Sequence, residues 1–86
     1  MEPQPPRVTF FHAPGCSLCD RARGVLDRVR ADVPFELDAV DISGVPELEE
    51  RYREWLPVVE IAGERAFVYF VDEDSLRRRL HKVGLP

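Results

Sequence analysis

Phe10-Phe11-His12-Ala13-Pro14-Gly15-Cys16-Ser17-Leu18-Cys19 is the stretch that decides the fold. A short apolar, β-favouring run, Val8–His12, ends there and reads as a buried first strand. Pro14-Gly15 then turns the chain. Two cysteines follow, three residues apart, where an amphipathic helical pattern begins. They are the only 2 cysteines in the 86 residues. The first N–H groups of a helix have no partner within it and carry about half a unit of positive charge. A thiolate at that end is stabilised, and the thiolate is the reactive form of cysteine. Residues three apart on a helix face each other. One sulfur of the pair can therefore attack a partner and the other release it.

Working outward, the first helix is expected over Ser17–Ala31, with Leu18, Ala22, Val25, Leu26 and Val29 as its apolar face. Arg21, Arg23, Asp27, Arg28 and Arg30 fall on the solvent face. Ser17-Leu18-Cys19-Asp20 fits a capping-box-like pattern with Ser17 as the cap; Cys16 as the cap is the other arrangement. Asp20, an anion close to Cys16, works against the thiolate. Gly24 sits mid-helix at a cost of about 1 kcal/mol relative to alanine, and close packing would be a reason for it.

Pro34 stops the helix. Phe35–Ile42 reads as a second strand: Phe35, Leu37 and Ala39 alternate against Glu36 and Asp38, and Val40 and Ile42 then switch parity, as in a strand whose far end is buried on both faces. A helical link of this length fits a right-handed parallel crossover. Pro46 suits the first turn of a second helix, with Val45, Leu48, Tyr52 and Trp55 as its inner stripe. Trp55–Ile61 enters a third strand, opened by Pro57, a place where proline is tolerated. Ala62-Gly63-Glu64 is too short for anything but an antiparallel hairpin into a fourth strand, Arg65–Val71, with Tyr69 and Phe70 in its core. Asp72-Glu73-Asp74-Ser75 starts the last helix. Leu76, Leu80 and Val83 form its apolar stripe, Arg77–Arg79 a solvated run, and Gly84 its end. The order β-α-β-α-β-β-α is an α/β architecture on one four-stranded mixed sheet flanked by helices.

The bulk properties set outer limits. Residues 1–7, with 3 prolines and no apolar signal core, read as a disordered lead-in, and 8–86 as one domain. A net charge of −4 argues against a nucleic-acid binder. No apolar run approaches the roughly 18–20 residues of a membrane span. Two cysteines are too few to staple a secreted scaffold. A cytoplasmic monomer using its CxxC for redox or metal chemistry is the expectation. As a zinc site the pair lacks ligands, since only His12 and His81, far apart in sequence, add nitrogen.

The element order, the CxxC after the first strand and the proline opening the third together resemble the thioredoxin fold. More narrowly, FFHAPGCSLCD, VDI, PELEERY, LPVV and DEDSLRRRL resemble glutaredoxin-like proteins over about Val8–Leu80. The resemblance implies Cys16 as nucleophile and Cys19 as resolving cysteine. It implies a cis-proline at Pro57, with the Leu56 backbone pairing with the substrate like an added strand. Trp55 and Pro14 join Leu56 and Pro57 as candidate substrate-binding residues. The family's lysine before the first cysteine is Ala13 here, and its Pro-Tyr between the cysteines is Ser17-Leu18. Its Gly-Gly-acid segment is replaced by Tyr69-Phe70-Val71-Asp72. These departures weaken the case for glutathione binding and leave the dithiol chemistry intact. The implied activity is thiol–disulfide exchange without a bound cofactor, glutathione serving at most as co-substrate. The implied partners are a disulfide-containing protein or small thiol, and a reductant such as glutathione or a thioredoxin-type reductase. The rival reading is a non-catalytic thioredoxin-like adaptor, or a metal or iron–sulfur binding module.

Overall fold

A computed structural model describes residues 5–84. It contains β1 (Arg7–His12), α1 (Ser17–Asp32), β2 (Glu36–Asp41), α2 (Pro46–Tyr52) with a short 3₁₀ turn (Arg53–Trp55), β3 (Val58–Ile61), β4 (Glu64–Val68) and α3 (Glu73–Gly84). The sheet order is β2-β1-β3-β4. β1 runs parallel to β2 and antiparallel to β3, and β3 antiparallel to β4. The mixed α/β sheet with its parallel crossover and hairpin is as the sequence implies.

β1 is central, and its side chains show it. Val8 and Phe10 are buried on one face and Phe11 on the other. The Phe11 face is covered by α2, whose Tyr52 stacks on the Phe11 ring at 4.0 Å. α1 buries Cys19, Ala22, Leu26 and Val29. α3 buries Leu76 and Leu80, and ion pairs Arg28–Glu73 at 3.2 Å and Arg77–Asp32 at 3.0 Å join α1 to α3. The hairpin between β3 and β4 turns through Ala62 (φ 53°) and Gly63 (φ 82°). Positive φ at both central residues is the hairpin geometry that matches strand twist.

Several expectations are corrected. β1 begins at Arg7, which lies opposite Glu36, so Arg7 belongs to the sheet and not to a disordered lead-in; residues 1–4 of that expected lead-in, like residues 85–86, lie outside the described residues. β2 is an edge strand, so Ala39 is exposed rather than buried at a two-sided far end. Val45 precedes α2 and is exposed, because the helix starts only at Pro46. Val83 is exposed in the last turn of α3, because the buried stripe of that helix ends at Leu80. β4 stops at Val68, three residues early, which leaves Tyr69 and Phe70 outside the core. Trp55 is exposed rather than part of the α2 stripe, since it sits in the 3₁₀ turn after the helix. Gly24 is not a close-packing site: a Cβ there would meet only the end of the Arg28 side chain, at 3.7 Å.

Candidate active site

Strand register gathers the site. Phe11 lies opposite Val58 in an antiparallel pair. The residues after β1 and those before β3 therefore emerge at the same end of the sheet. Val58 also lies opposite Val68, which brings the residues after β4 to that end too. Three loops meet there: Ala13–Cys16, Trp55–Pro57 and Tyr69–Val71.

The first loop presents the sulfurs. Gly15 has φ 76°, a left-handed conformation that favours glycine, and open space surrounds it. The turn delivers Cys16 in extended conformation as the N-cap of α1, so Cys16 rather than Ser17 is the cap. Its Sγ accepts a hydrogen bond from the Cys19 amide N–H at 3.1 Å. That amide is one of the four that a helix start leaves without an intrahelical partner. Cys16 and Cys19 form a disulfide, with their Cα atoms 5.2 Å apart. Their surroundings differ. Cys19 is 3% exposed and packs in the core. Cys16 is partly exposed at its edge. A reactant approaching from solvent reaches Cys16 first.

The second loop runs beside it. The Leu56–Pro57 peptide bond is cis. Leu56 and Pro57 are buried, and Trp55 is 44% exposed. Pro14 is exposed beside the cysteine turn. Of the residues singled out in the sequence, the sheet end thus collects Pro14, Cys16, Cys19, Trp55, Leu56 and Pro57.

The third loop stands at the surface, against the expectation of strand core. Tyr69 has φ 69°, and the Phe70 amide donates to the Val68 carbonyl at 2.8 Å. A one-residue turn with positive φ at its centre is rare and strained. Two further bonds hold it: the Tyr69 amide donates to the Pro57 carbonyl at 2.9 Å, and the Tyr69 hydroxyl to the Glu54 carbonyl at 2.9 Å. The Tyr69 ring stands 6.1 Å from that of Trp55. Phe70 is turned outward, 68% exposed. The only signal in the sequence is the Tyr-Phe pair before an acid-rich helix start, and β-propensity reads that pair as strand. After it, Asp72 caps α3: its carboxylate accepts from the Ser75 amide at 2.9 Å, which holds that carboxyl below its ordinary value.

His12 ends β1 with its ring stacked on Phe10, centroids 5.2 Å apart. His81 lies at the far end of α3 and is exposed. Among the described residues, no three His, Cys, Asp or Glu side chains come together in a way that could hold a metal ion. No helix there is long and apolar enough to cross a membrane.

Comparison with known proteins agrees with this geometry. Residues 7–81 match the glutaredoxin-like domain family (DUF836). A glutaredoxin-like protein from Dictyostelium discoideum is 29% identical over 82 residues, covering 88% of this chain and 76% of that one. A solved protein from X. campestris is 28% identical with a TM-score of 0.72, covering 87% of this chain and 96% of the other. A mutant thioredoxin from Halobacterium salinarum shares the fold with a TM-score of 0.73 at 17% identity, covering 96% of this chain and 78% of that one. The chain belongs to the glutaredoxin-like domain family, on a thioredoxin-like fold with a Cys16–Cys19 CxxC pair in disulfide form.

Proposed function

We propose that this protein is a thiol–disulfide oxidoreductase in which Cys16 is the nucleophile and Cys19 the resolving cysteine. The observation that carries the reading is the asymmetry of the pair. Cys16 caps a helix, accepts an amide hydrogen bond and meets solvent, while Cys19 is buried one turn behind it. A helix N-terminus and an amide donor favour negative charge on Cys16 sulfur.

The Cys16 thiolate attacks one sulfur of a partner disulfide. A Cys16–partner disulfide forms, and the partner's second sulfur leaves as a thiolate that takes a proton from solvent. The Cys19 thiol then loses its proton and attacks Cys16 Sγ. The Cys16–Cys19 disulfide forms and the partner's first sulfur leaves. Two electrons pass from the protein's dithiol to the partner disulfide. An external dithiol, or two molecules of a thiol such as glutathione, would restore the starting state. The Leu56 backbone at the cis-Pro57 turn, with Trp55 and Pro14 at its rim, would pair with the partner segment like an added strand. The substrates would be disulfide-containing proteins or small thiols, the reductant glutathione or a thioredoxin-type reductase, and the setting a reducing compartment such as the cytoplasm. No bound cofactor is needed for these steps.

A redox titration tests this. The protein is equilibrated in graded dithiol/disulfide buffers, alkylated, and its free thiols counted by mass. The expected result is one two-electron transition between Cys16 and Cys19, in the range of about −120 to −270 mV spanned by known oxidoreductases. A Cys19→Ser variant should accumulate a mixed disulfide through Cys16, and Cys16→Ser none. Thiols that never pair, or alkylation blocked until a chelator is added, would replace this reading with the adaptor or metal-module one.

A further inference from the structure

Between the Tyr69 turn and the start of α1 lies an apolar groove. One wall is the first two turns of α1, with Leu18, Arg21 and Ala22; the other is Tyr69, Phe70 and Val71. Leu18, which stands between the two cysteines in the chain, ties this groove to the start of α1 that Cys16 caps. Three observations bear on the occupant. Phe70 is the most exposed large apolar side chain among the described residues, and with Tyr69 (38%) and Trp55 (44%) it extends the apolar surface across the mouth of the site. The turn that exposes it is strained and held by three hydrogen bonds. Strain of this kind persists where the surroundings over-determine it, and ligand clamps are among such places. Arg21 is the one charged residue lining the groove. The other arginines of α1 are occupied: Arg23 pairs with Asp27 at 3.6 Å, Arg28 with Glu73 at 3.2 Å, and Arg30 donates to the Phe35 carbonyl at 3.2 Å. Arg21 has no ion pair or hydrogen bond among the described residues. Its neighbours one turn away, Ser17, Leu18, Gly24 and Val25, include no acid.

Resting on the oxidoreductase reading, we infer that this groove selects partner proteins whose reactive cysteine sits in an extended segment carrying a large apolar side chain and an acidic one, Phe70 receiving the first and Arg21 the second. An apolar wall with a single unpaired cation is complementary to that combination. Glutathione supplies carboxylates but no apolar side chain to cover the Phe70 ring, so a protein segment is the better match. Arg21 and Phe70 are specificity residues here and do not touch the reacting sulfurs.

The test uses the reduced full chain and synthetic decapeptides whose single cysteine is held in a mixed disulfide with 2-thiopyridine. Cys16 attacks the peptide sulfur, thiopyridone leaves with the proton, and Cys19 then displaces the peptide thiol. Thiopyridone absorbance gives the rate. Peptides pair Leu or Gly with Glu or Lys next to the cysteine. The Leu/Glu peptide should react about fivefold faster than Leu/Lys at low salt, as one exposed ion pair allows, and the ratio should shrink as salt screens it. Arg21→Gln should flatten the Glu/Lys ratio and Arg21→Glu invert it. Phe70→Ser should flatten the Leu/Gly ratio. Circular dichroism fixes each variant's folded fraction first, because thiols of unfolded chain attack every activated peptide alike and pull the ratios toward one. Equal rates for all peptides, from a wild type that reduces 2-hydroxyethyl disulfide, would overturn this inference alone. A wild type inert toward 2-hydroxyethyl disulfide would overturn the oxidoreductase reading and the inference with it. The mixed disulfide of glutathione with 2-thiopyridine reacting faster than the Leu/Glu peptide would overturn the protein-segment assignment.

Discussion

The Cys19 amide donates to Cys16 Sγ at 3.1 Å, so the backbone of the buried cysteine solvates the sulfur of the partly exposed one. The two thiols are therefore inequivalent before any partner arrives. In the reduced protein, limiting iodoacetamide should label Cys16 on the order of tenfold faster than Cys19, because reactivity follows thiolate character and access. Peptide mapping by mass spectrometry reads this directly. Equal labelling would mean that the helix cap does not differentiate the sulfurs.

Gly24 offers a stabilising change. It lies inside α1, where glycine costs about 0.5–1 kcal/mol relative to alanine, and an added Cβ meets only the flexible end of Arg28 at 3.7 Å, an ordinary contact. Gly24→Ala should raise stability by about that amount. A urea titration that shows no gain would mean that Arg28, and its pair with Glu73, is disturbed by the methyl group.

Leu26 is the opposite case. It is 0% exposed on the same helix and belongs to the main core. Leu26→Ala should cost about 2–5 kcal/mol through lost burial and the cavity left behind. A small domain holds only about 5–15 kcal/mol in total, so the variant should unfold at much lower urea or be unfolded outright. A loss below about 1 kcal/mol would mean that the α1–sheet interface collapses around the gap, which close-packed cores rarely allow.

Tyr52 predicts behaviour in alkali. Its ring is buried against Phe11, and its hydroxyl donates to Glu60 Oε2 at 3.3 Å. Burial, and then the Glu60 charge, raise the phenol above its ordinary 10.0. The folded state thus keeps this proton where the unfolded chain has lost it. The stabilisation is fully present below pH 10.0 and declines as pH rises from there through the raised value. Tyr52→Phe should remove that part of the decline, so the variant's stability curve should be flatter above pH 10 than the wild type's. Parallel curves would assign the alkaline loss to other groups.

The linear chain determined a good deal on its own. Periodicity and turn residues disclosed the β-α-β-α-β-β-α order, because each element's signal is local: Pro34 stops α1, Pro46 opens α2, Ala62-Gly63 turns the hairpin. The spacing of Cys16 and Cys19 marked a pair whose sulfurs can meet, since three residues are about one helical turn. Tertiary structure alone decided what surrounds the sulfurs. Whether a strand residue is core or rim depends on register and strand order, which no local signal carries. Phe11 opposite Val58 and Val58 opposite Val68 bring three distant loops to one sheet end. The early stop of β4 converts Tyr69 and Phe70 from expected core into an exposed wall. The edge position of β2 strips Ala39 of the cover its pattern implied. Arg21 reads as one solvated arginine among many until the fold brings Glu73 to Arg28 and sets Arg21 on the wall of the groove, without a partner among the described residues.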